Sequence, residues 1–338
     1  MTNQISPTVR LGLPLATSAL GALQPLVLVF AFQLGATRLV NGHNPINFCN
    51  GLLFGSLFSL AALLGFQRVR KNRDQLSDFW NWRDAKRVLM PVICGALLDA
   101  GILIALSRIE AVRVALVLTM TSVVLMVLES AEKRRWPSRL AGVGLAFVVI
   151  ASGFINANVP AENASDSMVP MGVALLANND IATSLLLLLL LFLNVLYYRN
   201  SAPLAEELGD LGFGIWQTFL QSLIFFAWAT TTFGLTHLYD LRSPVLWQVM
   251  LVYGAILSTV YTLLESASLA KAGALLVSLF EGLLPFLSAL FGWLLLKQPF
   301  TSQLVGGTML VAIGIACIEL AESKAEKSVG NANAHSAE

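Results

Sequence analysis

The feature that most constrains this chain is the stretch "TSLLLLLLLFLNVL", residues 183–196, with its run Leu185 to Leu191. Such a run offers no polar face to water and no alternation for a half-buried strand. In lipid only helices and closed barrels satisfy their own backbone, and continuous apolar runs of this kind argue for helices. A span needs roughly 20 mostly apolar residues. Ten segments qualify: 14–36, 46–66, 88–107, 111–131, 138–157, 180–198, 212–233, 245–264, 272–296 and 302–320. Asp99 and Arg113 interrupt the third and fourth. The chain is only 12% charged, against about 25% in soluble domains, with a mean hydropathy of +0.73. The expected class is therefore all-α and integral to a membrane, in contact with a lipid bilayer. A net charge of +1 offers nothing for a nucleic acid to bind.

Orientation follows from lysine and arginine. If the N-terminus is inside, only Arg38, Arg108, Arg113, Arg242 and Lys297 fall outside, which leaves 16 of the 21 basic residues within. Both termini are then cytoplasmic. The stretch "FWNWRDAKR" sets Trp80 and Trp82 beside basic residues, as an interfacial anchor before the third span. The tail 321–338 is small, polar and expected to be disordered.

Two parts of the chain resemble each other. "ALSRIEA" at 105–111 aligns with "SLAKAGA" at 268–274, and "RLAGVGLAFVVIASG" at 139–153 with "QLVGGTMLVAIGIAC" at 303–317. Five spans per copy is an odd number, so the second copy would be inverted, an arrangement common among secondary transporters. The expected organisation is a first five-helix repeat at 1–157, an outer loop at 158–179, a second five-helix repeat at 180–320, and the tail.

Within the ninth candidate span, "LVSLFEGLLPFLSALFGWLLL", Glu281 and Pro285 stand four residues apart. An ionisable group at membrane depth costs at least ~2.5 kcal/mol and is by default a functional hypothesis. Counted from the cytoplasmic ends of their spans, Glu281 and Asp99 differ in depth by only ~3 Å. Either could hold a proton or a cationic substrate reversibly. The structural alternative is an ion pair, with Arg113 as partner. Pro285 has no N–H, so the carbonyl of Glu281 loses its helical bond. That adds a polar group beside the acid, unless the kink serves packing alone. Tyr253, Gln24 and Asn194 are further candidates to line a cavity; interhelical hydrogen bonding is the plainer role for each. Tyr197 and Tyr198 read as hydrogen-bonding or aromatic-belt residues, and Glu129 as a surface partner of Lys133.

The run "SLAKAGALLVSLFEGLLPFLSALFGWLLLKQPFTSQLVGGTMLVAIGIACIEL" resembles the EamA-type repeat of the drug/metabolite transporter superfamily, with its paired Glu and Pro and its Gly-rich last helix. "NPINF" at 44–48 is similar to the start of that family's second span. Thr121 stands in the first repeat where Pro285 stands in the second, and Asn50 stands where a basic residue is frequent. The resemblance covers about residues 10–320. It implies ten helices in two inverted repeats, with the third and ninth lining a central cavity. It also implies a secondary transporter, by family habit an exporter, of a small-molecule substrate, with proton coupling through Glu281 or Asp99. A bacterial-type inner membrane is the expected location, and a homodimer is allowed.

Catalysis finds little support. His43, His237 and His335 are scattered, and no cluster has the spacing of metal ligands. No phosphate-binding loop occurs, so no cofactor or metal is expected. Three cysteines, Cys49, Cys94 and Cys317, cannot pair completely. Two alternatives stay open: a lipid-linked sugar flippase-like member of the same superfamily, and a membrane-embedded enzyme or partner subunit.

Overall fold

The computed structural model describes residues 6–40, 44–46, 48–70, 82–106, 111–132, 134, 137–156, 180–296, 305–307, 309–318 and 320–321. The elements are helices throughout. They run α1 Pro7–Ala36, α2 Phe48–Arg70, α3 Trp82–Leu106, α4 Ala111–Glu132, α5 Arg139–Asn156, α6 Asp180–Leu208 and α7 Asp210–Phe233. A 3₁₀ segment, Leu235–Arg242, leads into α8 Pro244–Met250, a π-helical segment Leu251–Ser258, α9 Thr259–Glu281 and α10 Leu284–Leu296. A last apolar helical stretch is Val305–Ile318. The expected loop at 158–179, the tail beyond Ala321, and Trp80 lie outside the described residues.

Among the described residues, five helices are long and apolar enough to cross a membrane: Thr8–Ala36, Cys49–Val69, Ala182–Leu208, Asp210–Thr232 and Pro244–Glu281. Shorter apolar helices are Arg139–Ala151, Phe286–Leu295 and Val305–Ile318. Helix α6 shows how these are built. Leu185, Leu188, Leu189 and Phe192, at spacings of three and four, share one face and are 50–61% exposed. Leu190, Leu193, Asn194, Tyr197, Tyr198 and Ser201 share the other face and are buried. The chain thus puts its most apolar side chains outward and its polar ones inward, the reverse of a soluble helix. A bilayer is the surrounding that removes the cost of that outer face.

The helices pack across the two halves of the chain. In the first half α1 lies against α9 and α10, while in the second α6 lies against α3 and α4. Helix α2 meets the π segment and α7 meets α3; α2 and α7 also meet each other. Small residues allow the tightest approaches. A Cβ on Gly254 would come within 2.6 Å of the Gly55 carbonyl oxygen, and one on Gly144 within 2.6 Å of the Gly314 oxygen. Thr17 and Ser268, both buried, share a hydrogen bond of 2.9 Å between α1 and α9. In "NPINF", Asn44 donates to the Phe32 carbonyl at 3.0 Å and accepts from the Ile46 N–H at 2.9 Å, fixing how α1 hands over to α2.

Two expected boundaries are corrected. The eighth span, placed at 245–264, continues in helix as far as Gly273, whose φ of 81° and ψ of 167° turn the chain. Glycine alone takes that conformation without strain. The ninth span, placed as one segment at 272–296, is broken at Gly282–Leu283. The N–H groups of Gly282 and Leu283 reach back only three residues, to Leu279 and Phe280, each at 3.0 Å. Pro285, at the second position of α10, cannot supply the bond that would carry the helix through. Glu281 is therefore the last residue of α9.

Gly254→Ala should lower folded yield and thermal stability, because backbone faces backbone at that contact and overpacking costs about 1–3 kcal/mol. Gly65→Ala, where nothing lies within 4 Å of the added carbon, serves as the control and should leave the melting temperature equal or higher. Parallel detergent melts check the pair.

Candidate functional site

Where α9 stops, its terminal carboxylate turns into the bundle. The hydroxyl of Tyr198 donates to Glu281 Oε1 at 2.5 Å, and the amide of Asn194 donates to Oε2 at 3.3 Å. The same Asn194 nitrogen donates to Thr121 Oγ1 at 3.0 Å. Tyr198 and Asn194 are four residues apart on the inner face of α6, so one helix row supplies both donors. Thr121 comes from α4. Helices α4, α6 and α9 thus meet at one polar point, with Asn194 1% and Tyr198 2% exposed. Tyr197 and Tyr198 do not form an aromatic belt; both are buried in the interior. The described partners of Glu281 are a hydroxyl and an amide rather than a cation. The side chain of Arg113, the expected partner in an ion pair, lies outside the described residues, as does Lys133. Glu129, expected on the surface, is half-buried.

Asp99 sits half-buried on α3 and accepts from the amide of Gln221 on α7 at 2.6 Å through Oδ2. One turn earlier on α7, Gln217 donates to the Tyr197 hydroxyl at 2.9 Å. Tyr197 in turn hydrogen-bonds Glu265 of α9, which also accepts from Tyr261 at 3.3 Å. Glu265 is 5% exposed and lies in the electrostatic field of both Asp99 and Glu281. Three carboxylates from α3 and from two turns of α9 therefore belong to one polar interior. Tyrosine and amide side chains of α6, α7 and α9 join them.

Glu265 is not among the sequence candidates, because an eighth span at 245–264 stops one residue short of it. A signal for it existed. Tyr261 and Glu265 are one turn apart, and "SAS" at 266–268 is the small-residue run that marks close helix packing. Tyr253 is buried on the π segment, beside Gly55 and in the electrostatic field of Asp99. Segments with π geometry recur at functional sites because they re-aim a side chain. Gln24 is half-buried on α1 and is not among the groups hydrogen-bonded to the three acids. The backbone at Pro285 ends the helix beside Glu281; its side chain is outside the described set.

Ion pairs of α6 lie apart from this interior. Arg87 of α3 holds Glu207 of α6 through both carboxylate oxygens, at 2.6 and 2.5 Å, and Arg199 of α6 pairs with Glu132 of α4. Both are half-exposed and join α6 to its first-half neighbours.

Comparison with known proteins points one way. Residues 181–320 match the EamA-like transporter family. The uncharacterized transporter sll1164 of Synechocystis sp. is 26% identical over 288 residues, 82% of this chain and 78% of that protein. One protein known from a crystal structure, 13% identical, superposes over 93% of this chain and 99% of its own with a TM-score of 0.61, a likeness of fold.

Tyr198→Phe and Glu281→Gln should not be additive in stability. Tyr198→Phe removes the short hydrogen bond and Glu281→Gln removes the charge that strengthens it, so both draw on the same interaction, worth about 1.5–3 kcal/mol if the acid is charged. The double variant should therefore recover on the order of 1 kcal/mol relative to the sum of the singles. A cycle of four denaturation curves in one detergent checks this.

Proposed function

We propose that this chain, an EamA-type protein of the drug/metabolite transporter superfamily, is a secondary transporter that exports a small organic metabolite by alternating access, with Glu281 as its central titratable group. The observation that carries the reading is the enclosed carboxylate itself. Glu281 ends a broken helix in the interior of a bundle whose outer face is apolar, and Asn194 and Thr121 link it to the other half of the chain. Broken helices that put polar groups at mid-depth are the recurrent way in which transporters bind solute between repeats.

The packing supports two inverted repeats of five helices, 1–157 and 180–320. Under an exchange of halves, α1 against α9 and α10 corresponds to α6 against α3 and α4. The contact of α2 with the π segment corresponds to that of α7 with α3, and α2 with α7 corresponds to itself. The Gly144–Gly314 approach brings the last helix of each half together in the same self-related way. The family match begins at residue 181, next to the expected repeat boundary. Lysine and arginine distribution favours cytoplasmic termini in an inner membrane. Binding through Asp99 and proton exchange at Glu281 would couple solute movement to the proton gradient. Catalysis is not part of this reading.

Reporter fusions at Asp78 and after Glu322 should report cytoplasm, and one near Asp166 the outside; a cytoplasmic signal at Asp166 breaks the ten-span arrangement. For the mechanism, Glu281→Gln keeps volume and polarity but cannot titrate. Export from vesicles under an imposed pH gradient, over a panel of small metabolites, should fall about ten- to hundredfold at normal levels of folded protein. Wild-type rate and pH dependence in that variant would remove Glu281 from the mechanism.

A further inference from the structure

Resting on the transport reading above, the geometry points to an amine as the substrate class: a small organic cation bound between Asp99, Glu265 and Gln217, with tyrosine rings as its walls. The groups that meet in this interior are of one kind. Asp99 uses Oδ2 to accept from Gln221, and its Oδ1 takes no hydrogen bond from a described residue, although Asp99 is only half-buried. Gln217, 9% exposed, spends its amide N–H on Tyr197 and leaves Oε1 buried with no donor. Gln217 and Gln221 are one turn apart on α7, so both amides face the same space between α3, α6 and α9. A buried acceptor without a donor is costly and calls for a partner. What Gln217 Oε1 lacks is a donor, and what Asp99 and Glu265 lack among their described partners is a positive charge.

The electrostatic neighbours of Glu265 among the described residues are Asp99, Glu281 and the tyrosines, and none is a lysine or arginine. Like charges enclosed in a low dielectric repel strongly; protons relieve this at the cost of the charge, and a cation relieves it while keeping the carboxylates ionised. A metal ion fits poorly, since no three His, Cys, Asp or Glu side chains among the described residues converge closely enough to hold one. An ammonium fits better. It brings two or three N–H donors to Asp99 Oδ1 and Gln217 Oε1, and its charge is favoured by tyrosine faces such as those of Tyr253, in the electrostatic field of Asp99, and Tyr261, hydrogen-bonded to Glu265. A carboxylate or phosphate substrate would add a fourth negative group to the same space.

The test is direct binding to the purified full-length protein, so its outcome does not depend on transport. Phenethylamine, tryptamine and putrescine are titrated, with phenylacetate and 2-phenylethanol as anionic and neutral counterparts, and thermal unfolding is followed. At least one amine should raise the melting temperature saturably, and phenylacetate should not. In Glu265→Gln and Asp99→Asn, amine affinity should fall at least about tenfold, while Gln217→Glu, which keeps the acceptor and adds charge, should hold or tighten it. The inference is overturned if no amine shifts the melt of folded wild type, if phenylacetate shifts it equally, or if Glu265→Gln binds amine like wild type. Amine binding without flux in proteoliposomes would instead defeat the transport reading and leave this one standing.

Discussion

The absence of water around the outer surface is the constraint on which the rest of this structure depends. Within a bilayer, a polar group not satisfied inside the protein stays unsatisfied. Helix α6 meets that condition by dividing its surface into a leucine and phenylalanine face turned out and an Asn194, Tyr197, Tyr198, Ser201 face turned in. Once one helix is divided in this way, its neighbours must offer matching polar groups. Thr121 on α4, Gln217 on α7, and Glu265 and Glu281 on α9 are those groups. The polar interior is a shared solution to one solvation problem, with each helix dependent on the others.

The same constraint explains why the irregular backbone lies where it does. The π segment, the turn at Gly273 and the break at Gly282–Leu283 all lie between Leu251 and Leu284. The first and the last loosen the helix just where a polar side chain sits, Tyr253 on the one and Glu281 at the other. Regular helix would place those side chains on a continuous stripe. Interruption aims them separately. Such interruptions also provide hinge points, since a helix already broken bends with little further loss of hydrogen bonds.

Attachment between the halves is divided by depth. In the interior it is neutral or acidic, through hydroxyls, amides and carboxylates. At the α6 pairs with Glu132 and Arg87 it is ionic and half-exposed. Exposed pairs of this kind are weak, typically ~0–1 kcal/mol, and can open and close without large cost. Interior contacts such as Gly254 on Gly55 are backbone on backbone and allow no such freedom.

The sequence by itself determined the class of the molecule. Apolar runs without charge, such as Leu185 to Leu191, leave a chain no alternative to membrane helices, and their composition is a local property. It also marked Glu281 and Asp99, because a carboxylate within an apolar run is conspicuous without knowledge of its neighbours. Pro285 foretold a disturbed helix for an equally local reason, the missing N–H. What only the tertiary structure decided was partnership. Asn194 reads as one amide among many until α4 and α9 arrive to accept from its nitrogen. Glu265 was hidden because hydropathy cannot separate a helix end from a loop when serine and alanine follow, and its burial comes from α1, α6 and α7 packing around it. Hydrogen bonds between residues 73 to 251 positions apart, Thr121 with Asn194 and Thr17 with Ser268 among them, depend on how helices cross. Crossing is settled by small residues facing each other across the bundle, and no one segment carries that information.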